Sequence, residues 1–325
     1  MTYSITATLG PASEQEATWR EMLAAGATAF RLNTSHLSLD SLWVWLDRLG
    51  PFLNRAGSSI SLVLDLQGSK WRLGQFPRFT LQEGQLVTLL HAAESAQVGS
   101  LPVPHADFFR AAPQSSAEII LNDAKIRLAV ESIEPDVIWA RVTLGGEISP
   151  RKGVTFGASP LRTETLSEKD QVIFAQTCDL DFIHYAVSYI KDSVEMEHYR
   201  AFLGLSAYLI AKLERGSAMA EADQISSIAN CIWVCRGDLG AELGMKGMAE
   251  AVARFSSLVR AMPVPAVMAG QVLEHMTVHA TATRSEVCYL HDALQAGYQG
   301  FVLSDETAIG RYPVESCRTA AMFKA

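Results

Sequence analysis

Short apolar runs recur along the chain at Ser4–Leu9, Ala27–Leu32, Ser61–Leu66, Asp181–Ser188, Ala207–Leu213, Cys231–Cys235, Val264–Ala269 and Gly300–Ser304. Each has the length of a buried strand, and most lead into a segment of helical period. Ser13-Glu14-Gln15-Glu16 reads as a capping box opening a helix over Trp19–Ala25, with Gly26 closing it. Ser167-Glu168-Lys169-Asp170 reads as a second helix start, with acids in the first turn where the helix dipole favours them. Strands alternating with helices predict a parallel sheet. Eight such units predict an α/β fold, a closed (β/α)8 TIM barrel.

Between Leu66 and Leu166 the rhythm changes. Alternating strands are expected at Gln85–His91, Glu118–Leu121, Lys125–Ile133 and Val137–Leu144, punctuated by Gly84, Pro135 and Gly145-Gly146. The expected organisation is a barrel from residues 1–73 and 160–325, with a β-rich lid domain, residues 74–159, inserted after barrel strand three. Removing the insertion leaves a barrel near the usual ~250 residues.

Composition narrows the function. The chain has 325 residues, 49% apolar and 19% charged, with a formal net charge of −8. Such a chain can build a large core and is not a disordered one. Without a basic excess it is not expected to bind nucleic acid. The most apolar run, Ala261–Gly270, is short and holds two prolines, so no membrane span is expected. The start lacks a basic and apolar leader pattern. Cys178, Cys231, Cys235, Cys288 and Cys317 are odd in number and scattered, and read as reduced core thiols of a cytoplasmic protein.

Barrel enzymes place their chemistry at the C-terminal ends of the strands. Those ends read Arg31-Leu32-Asn33-Thr34-Ser35-His36, Asp65-Leu66-Gln67-Gly68-Ser69-Lys70-Trp71-Arg72, Lys212-Leu213-Glu214-Arg215, Arg236-Gly237-Asp238-Leu239-Gly240 and Ser304-Asp305-Glu306-Thr307. Charged groups seldom lie beside a barrel core unless paired or ligand-bound. Mixed cations and carboxylates suit an anionic substrate with a divalent metal. His275 and His279 lack the intervening glutamate of a zinc-protease helix and read as surface residues; Trp43, Trp45 and Leu46 read as core or subunit contact.

The stretches ITATLGPAS, RLNTSH, LDLQGSKWRLG, RKGVTF, LSEKD, AKLERG, CRGDLGAELG, GQVLEHM and LSDETAIGRYP occur in this order and resemble the pyruvate kinase family over nearly the whole chain. No counterpart of that family's C-terminal effector domain is expected, and hence no sugar-phosphate activation. The resemblance implies phosphoryl transfer between phosphoenolpyruvate and ADP. It implies Mg²⁺ or Mn²⁺ at Glu214 and Asp238, with Lys212, Arg31 and Arg72 catalytic. Substrate would meet Arg31, Lys212, Gly237, Asp238, Gly270, Ser304 and Glu306. The nucleotide, ADP or ATP, would meet Asn33, His36, Arg72 and Lys152, the last when the lid closes. Asn33, Ser35 and Asp65 match a potassium site, and Lys70 resembles the branch in which an ammonium replaces that ion, so K⁺ is not expected to be required.

Four departures bear on the substrate. Gly270 stands where the family has threonine, which removes a hydroxyl and is expected to enlarge the pocket. Asp305 replaces glycine, Arg215 replaces asparagine and Thr34 replaces an aromatic residue. Three readings therefore stand side by side. One is a phosphotransferase on phosphoenolpyruvate or a related enol phosphate. A second is a metal-dependent lyase or transferase using the enolate of a 2-oxo acid. The third is a catalytically idle paralogue that binds phosphoenolpyruvate or a partner protein. A homodimer through barrel helices is compatible with all three.

Overall fold

The computed structural model describes residues 2–56, 60–68, 71–114, 117–122, 125–156 and 166–324. In chain order the elements are β1 (Ser4–Thr8), α1 (Glu16–Ala24), β2 (Ala29–Asn33), α2 (Leu39–Ala56) and β3 (Ser61–Leu66). Then follow β4 (Phe79–Leu81), β5 (Leu86–Leu90), β6 (Ser100–Pro102), α3 (Ala106–Ala111), β7 (Glu118–Leu121), β8 (Ile126–Glu134), β9 (Val137–Leu144), β10 (Gly146–Ile148) and β11 (Val154–Phe156). The chain continues through α4 (Glu168–Thr177), β12 (Ile183–Val187), α5 (Ser193–Leu203), β13 (Tyr208–Leu213), α6 (Gly216–Ala220), α7 (Ala222–Ile228), β14 (Cys231–Cys235) and α8 (Arg236–Leu258). It finishes with β15 (Ala266–Ala269), α9 (Arg284–Ala296), β16 (Gly300–Leu303), α10 (Asp305–Ala308) and α11 (Pro313–Ala320).

Eight parallel strands close a barrel in the order β1-β16-β15-β14-β13-β12-β3-β2. All eight apolar runs became its staves. Packing divides the chain into two compact units: Met1–Gly68 with Leu166–Leu239 and Lys246–Ala325, and Ser69–Thr165 with Gly240–Met245. The second unit carries a six-stranded sheet, β11-β7-β8-β9-β5-β6, and the antiparallel pair β10-β4. Its core includes Trp71, Phe108, Phe109 and Phe156, with Phe108 stacked on Phe156 at 4.6 Å.

Alternation along each stave decides what faces inward. Val63, Ala186, Ile210, Trp233, Val267 and Val302 pack together inside the barrel. Two residues further along their strands the same parity carries Asp65, Ser188 and Lys212. The period of two that fills the core thus also aims the polar ends of the staves at one point.

Several local expectations gave way. Ser13 caps no helix: Pro11 starts a tight turn, Pro11–Ser13, and the Ser13 hydroxyl turns back to accept from the Gly10 amide at 3.1 Å. α1 begins only at Glu16, after Gln15, which caps it with no side-chain bond. Strand β15 starts at Ala266 rather than Val264, because Pro265 has no N–H to give a central strand. Of the cysteines, Cys231, Cys235 and Cys317 are buried, but Cys178 and Cys288 are exposed. The His275 and His279 rings stack at 3.9 Å on a short turn rather than a helix. Trp45 meets Trp19 at 6.0 Å, with the Arg48 guanidinium over both rings. Among the described residues no helix is long and apolar enough to cross a membrane.

His184, near the start of β12, stacks on Tyr208 at 3.8 Å. Burial lowers its pKa from 6.5 to about 4. Between those values the unfolded chain takes up a proton that the fold refuses. This contribution is therefore intact above pH 6.5 and is lost as pH falls towards 4. Urea unfolding of wild type and His184→Phe across that window should show the wild type losing more stability on acidification; parallel curves would contradict the assignment.

Candidate active site at the C-terminal rim of the barrel

Asp65 occupies the centre of the rim. Its Oδ2 accepts from Arg31 Nε at 2.8 Å and from Arg31 Nη2 at 2.5 Å. Its Oδ1 accepts from Lys212 Nζ at 3.1 Å. The Ser188 hydroxyl lies 3.1 Å from the same Oδ1 and donates to Leu66 O at 2.8 Å or to that carboxylate. Lys212 spends its other two protons on Ser188 Oγ at 2.8 Å and Glu214 Oε1 at 2.9 Å. Glu214 Oε2 accepts from the Tyr189 amide at 2.7 Å, where the chain turns left-handed (φ 68°). Arg31 Nη1 donates to Thr8 Oγ1 at 2.9 Å, and Thr8 in turn donates to Leu303 O.

Four charged side chains, 2–11% exposed, thus balance to zero. Burial opposes the charge on Lys212, but the carboxylates of Asp65 and Glu214 outweigh it and hold its pKa above the ordinary lysine value. Burial likewise opposes ionisation of Asp65, and Lys212 and Arg31 overcome it, so its pKa falls below the usual carboxylate value. Lys212 is consequently a fixed positive charge rather than a proton acceptor.

Next along the barrel, α8 begins at Arg236 straight after β14. Gly237 is exposed, with open space where a Cβ would stand, and Asp238 is half-buried in the first turn. Facing them is Gly270, left-handed at φ 82°, followed by Gln271 at φ 53°. Arg236 grips this bend, donating to Gly270 O at 2.6 and 3.0 Å and to Gln271 O at 2.9 Å. A Cβ on Gly270 would lie 3.1 Å from Gly237 N and 3.2 Å from Arg236 N. The missing Cβ leaves the Gly237 amide, in the first turn of α8, uncovered.

Other expected site residues take varied places. Glu306 is fully buried, and its oxygens accept from Leu273 N at 3.2 Å and Ser304 N at 2.9 Å. It holds the backbone that carries Ser304, a different place from a substrate contact. Burial pushes its pKa up to about 7. Asn33 Oδ1 accepts from Ser35 N at 3.2 Å, capping the turn Thr34–His36; Ser35 is buried and His36 exposed. Lys70 lies outside the described residues. Arg72 and Lys152 belong to the second unit, where residues 71–73 pair with 151–154: Leu73 N donates to Lys152 O at 2.9 Å and Arg72 Nη1 to Arg151 O at 3.1 Å.

The donor set fits a hard divalent ion. Glu214 and Asp238 offer carboxylate oxygens from the ends of neighbouring strands. Among the described residues no cluster of three or more His, Cys, Asp or Glu is placed to hold a metal. A pair of acids suits an ion that keeps waters and takes substrate oxygens. Burial, with Glu214 nearby, raises the pKa of the Cys235 thiol.

Residues 1–317 match the family model described as pyruvate kinase, barrel domain. The chain belongs to the pyruvate kinase family. It is 32% identical over 323 residues to a pyruvate kinase of Agrobacterium vitis, covering 96% of this chain and 66% of that protein. It is also 32% identical over 319 residues to one of Methylorubrum extorquens, covering 97% of this chain and again 66% of the relative. A pyruvate kinase of Aeropyrum pernix is 30% identical over 321 residues, covering 98% and 69%. The chain thus spans just under two thirds of the length of the first two relatives. Within this barrel, Ser188, Thr8 and Tyr189 join the network without a motif to mark them. The signal for Ser188 was present, a hydroxyl at an inward position closing an apolar strand.

Asp65→Asn leaves two buried cations facing one carboxylate, and breaking such a buried pair costs about 3–5 kcal/mol. Chemical denaturation should show that loss; a change under about 1 kcal/mol would mean that Asp65 does not hold the cations. Gly270→Thr places a branched side chain at φ 82° against two amides. It should destabilise by about 1–3 kcal/mol by the same method, and an unchanged midpoint would show that the bend relaxes freely.

Proposed function

We propose that this chain transfers a phosphoryl group between ADP and phosphoenolpyruvate or a related enol phosphate, with Mg²⁺ or Mn²⁺ at Glu214 and Asp238. The observation that carries this reading is the single carboxylate, Asp65, fixing a guanidinium and an ammonium beside a metal-competent acid. Arg31 keeps its Nε–Nη2 edge on Asp65 and turns Nη1 from Thr8 to a phosphate oxygen. Lys212 exchanges Ser188 for the transferring group and remains charged throughout, because Asp65 and Glu214 hold its proton. The substrate carboxylate rests on the Gly237 amide that Gly270 leaves open, at the positive end of α8. When bound there, a divalent ion would offset the negative charge that develops on the enolate oxygen. Asn33 and His36 are assigned to the nucleotide phosphates. On this reading no K⁺ is required, the ammonium of Lys70 bringing the charge in its place. The cytoplasm is the compartment this reading assigns.

A nucleotide-free reaction of a 2-oxo acid enolate is the second reading, favoured by the space that the missing Cβ of Gly270 leaves beside Gly237. Mass spectrometry of enol phosphates and 2-oxo acids with and without ADP separates the two. The first reading expects ATP from an enol phosphate, ADP and Mg²⁺, equally without K⁺. It also expects a loss of about 10²–10³ or more in kcat for Lys212→Met. Product formed only without nucleotide would favour the second reading, and no ATP from any enol phosphate would refute the first.

A further inference from the structure

The first turn of α4 does work that its own helix does not need. Ser167 already caps α4, accepting from Asp170 N at 3.1 Å. The Asp170 carboxylate, fully buried, is instead spent on distant backbone: Oδ1 accepts from Gln67 N and Oδ2 from Gly68 N, both at 3.0 Å. Its neighbour Lys169 reaches a second loop, donating to Thr34 O and, at 2.5 Å, to Leu37 O. Those carbonyls bracket Ser35 and His36. The Thr34 hydroxyl ties the same turn to Asp65 O at 2.8 Å.

Both loops are hydrogen-bonded to this turn. Gly68 is left-handed at φ 62°, and a Cβ there would stand 2.3 Å from Ser188 O. Burial raises the Asp170 pKa, opposed by these same amide bonds and by Lys169. Gly68 is also the last barrel residue before the inserted unit, and Leu166 the first after it. Two consecutive side chains at the re-entry point therefore fix the exit of the insertion and the turn that carries Asn33 and His36.

We propose that Lys169 and Asp170 are positioning residues for the nucleotide side of the site, setting the Asn33–His36 turn and the Gln67-Gly68 backbone without touching substrate. This rests on the assignment of Asn33 and His36 to the nucleotide. Arg31 and Lys212 are held by the Asp65 side chain, on a barrel strand whose ladder bonds do not depend on Lys169 or Asp170, so the enol phosphate should be less affected than ADP.

Lys169→Met removes both donors, Lys169→Arg keeps them, and Asp170→Asn sets an amide NH₂ against a backbone N–H. In Lys169→Met and Asp170→Asn the KM for ADP should rise about tenfold or more, while the KM for the enol phosphate stays within about twofold. Lys169→Arg should recover most of the ADP affinity. Hydrogen exchange of Asp170→Asn should show lost protection at Gln67 and Gly68 with β12–β14 unchanged. An equal rise in both KM values, an unchanged ADP KM, or retained protection at Gln67 and Gly68 would overturn the proposal. Should wild type make no ATP, the functional reading fails by itself. Calorimetric binding of ADP then decides this proposal: binding weakened in Lys169→Met supports it, and equal binding by the two proteins, or none by wild type, overturns it.

Discussion

One carboxylate, holding two cations through three hydrogen bonds, organises the rim of this barrel. Asp65 holds a guanidinium on one oxygen and an ammonium on the other, in a place from which water is almost excluded. A cation there without a partner would be neutralised or would unfold its surroundings. With Asp65 and Glu214 opposite, Arg31 and Lys212 keep their charge and a defined separation. The quartet is neutral as it stands. An incoming anion therefore meets two cations whose desolvation was completed on folding, the arrangement in which fixed charge acts most strongly.

A second theme is the use of charged side chains at the rim, three of them buried, to hold backbone rather than ligand. Glu306 binds the amides of Leu273 and Ser304; Asp170 binds those of Gln67 and Gly68; Glu214 binds that of Tyr189; Arg236 binds the carbonyls of Gly270 and Gln271. Each of these four secures a segment just past the end of a barrel strand. Several of those segments are left-handed, at Gly68, Tyr189, Gly270 and Gln271. The rim is thus a set of bends kept in place by charge-assisted hydrogen bonds to the main chain.

The barrel was legible because its staves are short apolar runs bounded by helical periods, and all eight were found. Strands of the inserted sheet were also marked by alternation; Glu118–Leu121 and Val137–Leu144 agree to the residue. Local capping was less legible, since Pro11 redirected Ser13 in a way that spacing alone does not reveal. Within the site, polar residues at strand ends announced themselves by type, but their partners did not. Asp65 resembled a cation ligand in sequence, whereas its neighbours across the barrel make it the anchor of two side-chain cations. Nothing in the run Leu66-Gln67-Gly68 indicates a carboxylate from Asp170, a hundred residues away. Parity along a strand is local, while pairing across a closed barrel depends on stagger, which only the assembled sheet defines.

In the proposed reaction Arg31 and Lys212, held by Asp65, face one anion together with a divalent ion on Glu214 and Asp238. A crystal structure with Mn²⁺ and oxalate, a planar mimic of the enolate, tests this arrangement most directly through the anomalous signal of the metal. The arrangement predicts manganese on the carboxylates of Glu214 and Asp238, oxalate bridging it to Lys212 Nζ, and Asp65 still bonded to both cations. Manganese at another place, or oxalate bound with Lys212 turned away from it, would contradict it.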